Sequence, residues 1–400
     1  MLGAACAAGS SRRRHEERAV DRPWYASFNW LLALACVLVT AGGIIFIGSA
    51  TLHTPSEAGE VRNQTIYAVL GVGLMFGFAF IDYHVWQRWA GLLYAVNVGL
   101  LIFILLKGHS ALGAQRWISI GSFTFQPSEP AKLSLAIAIA ALLCRGSYQK
   151  LQEMLLPLAA VAIPALLILK QPDLGTMLVI GAILTAELFF GMANLLDFGI
   201  YVGGIIAACA FVLTSEKILK PFQRARLLVF LNPKADPQGA GWNLNQSKIA
   251  VGSGELFGKG LYKGTQTQLN FVPEHSRDFI FTVVGEEAGY VGALVLIVLY
   301  VAIVGGALRA VFAARDRFGV LLGVGLVAML AFHMIVNIGM TIGIMPITGI
   351  PLPFMSYGGS SILTNYIAVG ILLNIAMQRD RLVFDEGPTA NAKATAQPHI

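Results

Sequence analysis

Charge is the scarcest commodity in this chain. Only 12% of its 400 residues are Asp, Glu, Lys or Arg, against about 25% in a typical soluble domain. That deficit excludes a globule surrounded by water on all sides. Cysteine is equally sparse. Cys6, Cys36, Cys144 and Cys209 lie far apart, three of them within or at the edge of apolar runs. Such spacing supplies neither a metal-ligand set nor a disulfide framework. No internal repeat is visible, which weighs against the inverted-repeat plan of secondary transporters. A twin-arginine reading of Arg12–Arg14, or a lipidation reading of Cys6, lacks the apolar region that either signal needs.

What the chain has is apolar length. Hydrophobic residues make up 56% of it, mean hydropathy is +0.68, and a membrane-crossing helix needs roughly 20 such residues in a row. Ten spans are predicted, at Trp30–Ala50, Thr65–Ile81, Trp89–Leu106, Ala131–Leu143, Met154–Leu169, Gly175–Gly191, Phe198–Thr214, Phe279–Ala307, Phe318–Ile344 and Ser361–Met377. The fourth and fifth are short or interrupted by Pro157 and Pro164. An even number returns both ends to one side.

Basic residues orient the bundle, because short cytoplasmic loops are enriched in them. The N-terminal tail carries Arg12, Arg13, Arg14, Arg18 and Arg22. Arg88, Arg145, Lys150, Arg309, Arg315, Arg317, Arg379 and Arg381 fall on the same face, and Ser49–Asn63 opposite has only Arg62. The fold expected is an all-α polytopic membrane protein with ten transmembrane helices and both termini cytoplasmic. Its parts are a basic cytoplasmic tail (1–29), the membrane domain (30–378) and a polar, disordered cytoplasmic tail (379–400). The net charge of +6 then reflects topology, and no nucleic-acid partner is implied.

Two segments interrupt the helices. Lys107–Pro130 is one. The other, Glu216–Asp278, forms a large extracytoplasmic loop between helices 7 and 8, with nine basic residues against five acidic ones. A loop of this length in a compact protein is commonly functional or disordered, and Trp242, Leu256, Phe257, Tyr262 and Phe271 favour a folded cap on the membrane surface. Its GSGELFGKG, Gly252–Gly260, fails as a phosphate loop: three residues separate Gly254 from Gly258, and Gly260 replaces the hydroxyl residue after Lys259. Two readings of it stay open, tight turns in a packed cap, or backbone amides with Lys248, Lys259 and Lys263 near an anion.

The stretch FVPEHSRDFIF, Phe271–Phe281, places Asp278 where this polar loop meets an apolar helix. Asp is favoured at helix starts, so a cap explains it. A base acting on a lipid-linked polar substrate would also need this position, and Glu274, His275 and Arg277 lie within about one turn. Partial burial would raise its pKa and Arg277 would lower it. Glu129 and Lys132, at i and i+3 on one helix face, are either a structural ion pair or a phosphate contact with its support. Asp173 in KQPDLGT caps span six unless that turn lines a cavity. Glu187, Glu286 and Glu287 lie inside spans, where acids are costly and mark function by default. His333 and Asn337 read as bonds to neighbouring helices.

Several motifs occur in order: GAQRWI at Gly113, FQPSEPAKL at Phe125, QPDLGT at Gln171, GAGWNLNQSKIAVGSG at Gly239, VPEHSRDFIFTVVGEE at Val272, NIGMTIGIMPITGIPLPF at Asn337 and SYGGSS at Ser356. With them the chain resembles the SEDS family (shape, elongation, division and sporulation proteins, the RodA/FtsW/SpoVE group) from about Trp30 to Arg379. GTQTQL at Gly264 and TGIPLPF at Thr348 look more like the elongation-type RodA branch than the division-type FtsW branch.

The resemblance implies a ten-helix peptidoglycan glycosyltransferase of the bacterial cytoplasmic (inner) membrane, serving cell elongation and rod shape. Its substrate would be lipid II, undecaprenyl-pyrophosphate-linked disaccharide-pentapeptide, joined into β-1,4-linked glycan by inverting transfer. The family's essential Asp matches Asp278, the expected base. Its Glu and Lys match Glu129 and Lys132. Arg116, Gln246, Ser247, Lys248, Glu274 and Arg277 complete the candidate substrate contacts. A divalent cation, Mg2+ or Mn2+, is the expected cofactor, without an organic one. The expected partners are a class B penicillin-binding protein acting as transpeptidase and the elongation machinery. One departure stands out, since the family has His-Thr or His-Ser directly before the Asp and this chain has Ser276-Arg277. Pro130 also replaces an aliphatic or aromatic residue. The rivals are a lipid II flippase, which needs mid-membrane charges more than surface ones and has Glu187, Glu286 and His333 as material, and a non-catalytic scaffold for the transpeptidase, which needs neither.

Overall fold

Hydrocarbon offers no hydrogen bonds to a peptide group, so a chain this apolar satisfies its backbone within helices. The computed structural model describes residues 24–54, 57, 59–107, 109–111, 114–120, 123–146, 151–192, 194–214, 226, 229–230, 236 and 239–378. Seven helices first follow, α1 (Trp30–Ala50), α2 (Glu60–Phe80), α3 (Tyr83–Lys107), α4 (Ser128–Arg145), α5 (Leu155–Lys170), α6 (Leu174–Gly191) and α7 (Leu195–Thr214). Within the long loop lies α8 (Ala240–Ser253), and after it come α9 (Ile280–Ala313), α10 (Arg317–Ile342) and α11 (Gly359–Met377). All but α8 overlap one of the ten expected spans.

Length and composition suit seven of them, α1, α2, α3, α6, α9, α10 and α11, to crossing a membrane. α5 has 16 residues, about 24 Å of helix, short of the roughly 30 Å hydrocarbon core. α4 carries Glu129, Lys132 and Arg145 and sits largely buried among α3, α6 and α10. The expectations for residues 1–23 and 379–400 fall outside the described residues.

The all-α expectation needs correction. Between α3 and α4 lie three short antiparallel strands, β1 (His109–Ala111), β2 (Ala114–Ile120) and β3 (Phe123–Phe125), in the order β1-β2-β3. Ile118 faces Phe125 and Ile120 faces Phe123 across the second pair. The alternating β-branched and aromatic residues of RWISIGSFTF favour this pleated arrangement.

Close approaches fix the bundle. α11 lies along α2, where Tyr366 packs directly on Gly71 and its hydroxyl meets Thr40 of α1 at 2.7 Å. α6 lies along α10 with the buried Glu187 carboxyl set against Gly325.

Within residues 216–278, α8 packs beside α9 and α10. Val229, Leu244 and Val272 form a small apolar cluster with Phe279, Met340 and Ile347. Beyond α8 the chain runs into a break in α9 at Gly289 (φ 65°, ψ −162°). There Tyr290 N donates to Glu255 O (2.9 Å) and Val291 N to Leu256 O (3.0 Å). In return Lys259 N donates to Glu286 O and Gly260 N to Glu287 O, both at 3.0 Å. These replace the i to i−4 bonds of an unbroken helix.

The Glu286 carboxylate accepts from Lys259 Nζ (2.8 Å), Gln266 N (2.8 Å), Thr267 N (3.0 Å) and Thr267 Oγ1 (2.8 Å). The packed-turn reading of GSGELFGKG is the one that describes its place. Lys259 is bound to a carboxylate of the protein itself.

At Gly289 a Cβ would stand 2.3 Å from Gly258 N, on a backbone that L-residues rarely adopt. Gly289→Ala is expected to cost at least about 1–3 kcal/mol from backbone strain alone. Thermal unfolding in detergent, with protease sensitivity of residues 254–264, checks this. An unchanged protein would show that the break tolerates a side chain.

Candidate functional site

The turn 272–279 presents Asp278. Backbone N–H groups of Arg277 and Phe279 donate to Glu274 O at 3.1 and 3.3 Å, with Glu274 itself at φ 55°. Three consecutive carbonyls are then held from outside. Tyr357 N donates to Ser276 O (3.0 Å), Ser356 Oγ to Arg277 O (2.5 Å) and Asn337 Nδ2 to Asp278 O (2.8 Å). α9 begins after Phe279 without a side-chain cap. Capping does not account for Asp278.

Its carboxyl is half-buried and lies beside Gly349. A Cβ built on that glycine would be 3.1 Å from Asp278 Oδ2 and 3.3 Å from Arg226 Nη1, so carboxylate and guanidinium flank the same residue. Gly349 adopts φ 71°, and both the backbone and the space favour glycine.

Burial pushes the Asp278 carboxyl up to about 6, and the Glu274 charge adds to it. Arg226 and Arg277 pull the other way, and Asp173 raises it slightly further. Arg226 is lowered from its ordinary value by burial, against the pull of Asp278, with Arg116 lowering it further and Asp173 opposing. Even so, an arginine remains charged at neutral pH.

Two motifs act on this pair through the charges of Arg116 and Asp173, and a third bonds to Asp173. Arg116 of β2 donates from Nε to Gln171 O (2.9 Å) and from Nη2 to Pro172 O. Asp173 caps α6 by accepting from Thr176 N (3.2 Å) and Thr176 Oγ1 (3.0 Å). It also accepts from Gln126 Nε2 (3.3 Å) and Ser128 Oγ (3.4 Å) of the FQPSEP segment. So Asp173 is a cap whose charge reaches the Asp278–Arg226 pair.

Of the residues the sequence singled out, Asp278, Glu274, Arg277 and Arg116 come together. Arg277 donates to Glu274 Oε2 (3.2 Å) and Glu60 Oε1 (3.1 Å), with its guanidinium 5.6 Å from the Tyr357 ring centre. Burial lowers its pKa, but Glu274 and Glu60 outweigh that and raise it. His275 is buried, its ring nitrogens 2.9 Å from Val272 O and 2.8 Å from Ala50 O.

Glu129 and Lys132 are buried, with Lys132 Nζ 2.9 Å from Glu129 Oε1 and 3.0 Å from His333 Nε2 of α10. His333 stands one turn before Asn337, which links this interior pair to the Asp278 turn. On α8, Ser247 is buried and donates to Thr341 O (2.6 Å). Gln246 is half-buried, and the exposed Lys248 lies across Gly343 at the end of α10.

Arg226 and Gly349 were not singled out. Arg226 is one of nine basic residues in its loop, and only folding separates it from the rest.

Among the described residues no three His, Cys, Asp or Glu side chains converge as a metal cage. An ion that arrives with a pyrophosphate takes only one or two protein carboxylates. Asp173 has both oxygens in hydrogen bonds, which leaves Asp278, beside the Arg226 guanidinium, and Glu274, paired through one oxygen with Arg277. Among the described residues the cations beside these carboxylates are Arg226 and Arg277.

Residues 29–381 match the profile of a family described as cell cycle protein, FtsW/RodA/SpoVE. The chain belongs to that family. It is 35% identical over 354 residues to the peptidoglycan glycosyltransferase MrdB of Escherichia coli, covering 88% of this chain and 94% of that one. With the probable peptidoglycan glycosyltransferase FtsW of Trichlorobacter lovleyi it shares 36% over 367 residues, 88% and 93% of the two chains.

Among solved structures, the rod shape determining protein RodA of Thermus thermophilus superposes with TM-score 0.64 at 27% identity, covering 89% of this chain and 99% of that one. A chain of a peptidoglycan synthase complex that coordinates polymerization and crosslinking gives TM-score 0.76 at 29% identity, covering 88% and 98%. Family and apolar helices together make this a multi-pass protein of the bacterial inner membrane.

Charge reversal of influence gives a paired test. Glu274 raises the Asp278 pKa and Arg226 lowers it. In a pH–rate profile, Glu274→Gln is expected to move the acidic limb to lower pH and Arg226→Gln to move it higher. Shifts of the same sign would contradict this arrangement.

Proposed function

We propose that this chain is an elongation-type peptidoglycan glycosyltransferase that polymerises lipid II, with Asp278 as the base. The carrying observation is the half-buried Asp278 carboxyl, raised to about 6 and set beside Arg226. A general base works best with a pKa near the operating pH. At neutral pH this group is ionised yet more basic than an ordinary Asp.

Asp278 takes the proton from the 4-hydroxyl of the acceptor sugar as that oxygen attacks the anomeric carbon of the donor. The bond from that carbon to the pyrophosphate oxygen breaks, and undecaprenyl pyrophosphate leaves with the electron pair. One displacement turns the α-linked donor into a β-1,4 link. The charge developing on the leaving group needs preorganised cations, and Arg226 and Arg116 fill that role. A bound pyrophosphate also adds negative charge near Asp278, which strengthens its hold on a proton when it must accept one.

Lys132, with Glu129 and His333, acts from the interior by fixing α4 against α10. Ser247 is committed to Thr341 O, which leaves Gln246 and Lys248 as the groups of α8 for substrate contact. We further infer ten membrane crossings with both ends cytoplasmic, which puts Asp278 on the outer face, where lipid II is polymerised. The TGIPLPF and GTQTQL segments favour the elongation branch, although relatives named RodA and FtsW match comparably. A class B penicillin-binding protein is the partner that a synthase coordinating polymerization with crosslinking would need. Of the intramembrane groups a flippase would use, Glu286 is held by Lys259 and His333 meets Lys132, whereas the buried Glu187 carboxyl takes no hydrogen bond among the described residues. The place of Asp278 at the loop–helix junction is what favours the polymerase.

Purified protein with its transpeptidase partner, given lipid II and divalent cation in detergent, tests the reading. Asp278→Asn is expected to lose about 100- to 10,000-fold in glycan polymerisation while folding and binding the partner normally. Equal polymer from both proteins would remove Asp278 as the base.

A further inference from the structure

Asn337 is fully buried on α10, and its Nδ2 donates two hydrogen bonds. One goes to the carbonyl of Asp278 and the other to the carbonyl of Ile350, each at 2.8 Å. A side-chain amide has two N–H groups to give, and both are used here. Ile350 follows Gly349, the residue on which Asp278 Oδ2 and Arg226 Nη1 close. A single amide therefore joins the turn bearing the carboxyl to the segment that walls it.

The acceptor half of the same amide tells against a purely packing role. Asn337 Oδ1 is buried and takes no hydrogen bond among the described residues, an unfavourable state for a carbonyl oxygen. A leucine, with the same branching at Cγ and no polar atom, would avoid that cost, so what distinguishes Asn here is its pair of donors. Their charge state does not change with pH, so the clamp holds whether Asp278 is protonated or ionised. α10 is itself fixed one turn earlier, where His333 meets Lys132 of α4. Tyr357 and Ser356 hold the preceding carbonyls, but Asn337 is the side chain that grips Asp278 itself.

We infer that Asn337 is a positioning residue for the transfer reaction, fixing the Asp278 carboxyl against the Gly349 wall and Arg226. The inference rests on Asp278 being the base. It assigns no contact between Asn337 and the substrate.

The test compares wild type, Asn337→Leu, Val336→Ala and Asp278→Asn, each with its transpeptidase partner and lipid II in detergent, after thermal unfolding and partner binding are checked. Val336 is buried on the same helix, so Val336→Ala reports what a packing change beside Asn337 does with the amide intact. Asn337→Leu is expected to lower kcat about 10- to 100-fold, the scale of a misplaced catalytic group, with KM for lipid II within about twofold. Its acidic pH limb is expected to move toward the ordinary carboxylate range as the freed Asp278 gains water. A kcat and pH limb equal to those of Val336→Ala would overturn the inference. If Asn337→Leu does not fold, Asn337→Ser is judged by the same two readouts. Full activity in Asp278→Asn would overturn the base assignment and the positioning role together. An inactive Asp278→Asn beside an unaltered Asn337→Leu would overturn the positioning role alone.

Discussion

A peptide group inside an apolar bundle must find its partner within the protein, and the break in α9 at Gly289 is where that constraint is sharpest. The helix gives up the ladder bonds of Tyr290 and Val291. The segment Glu255–Gly260 restores them, two donors for two donors and two acceptors for two acceptors. Glu286 then gathers Lys259 and the turn Thr265–Thr267 about its carboxylate. Ser49 of α1 donates to Glu287, and Gln268 Nε2 donates back to Ser49 O at 3.0 Å. Residues 255–268, α1 and the first turns of α9 are thereby tied together, and the Asp278 turn is their rim.

On that rim the charge balance is uneven by design of place rather than of number. Two arginines stand near Asp278, yet its pKa rises. Arg277 is held between Glu274 and Glu60, so much of its charge is already answered. Arg226 is shared with Asp173. Burial and Glu274 therefore win over two partly neutralised cations. The outcome is a carboxylate that stays ionised at neutral pH without being inert, beside guanidiniums able to meet an anion.

Much of this was legible in the sequence. The apolar runs located the helices to within about six residues at each end, because hydropathy and the need for internal hydrogen bonds act on every bundle alike. The strands at His109–Phe125 were missed because a short polar interruption between spans carries little periodicity. The position of Asp278 at the loop–helix junction was readable, but its cap reading failed because α9 starts one residue beyond Phe279 with no side chain bound to its amides. Asp173 was rightly read as a cap, while its reach to Asp278 depends on a turn and a loop more than 100 residues apart in sequence. Arg226 had no distinguishing neighbour. The acids of α9 looked functional because they lie within a span, and only the folded loop reveals Glu286 as the anchor of Lys259.

The proton affinity of Asp278 is the quantity from which the chemistry follows, and it can be observed directly. Infrared difference spectra of the carboxyl stretch, recorded across pH for wild type and subtracted from those of Asp278→Asn, isolate this one group. A band titrating near pH 6 that vanishes in the variant is the expected result. A group already ionised well below pH 5 would be an ordinary aspartate, and its role as a poised base would have to be given up.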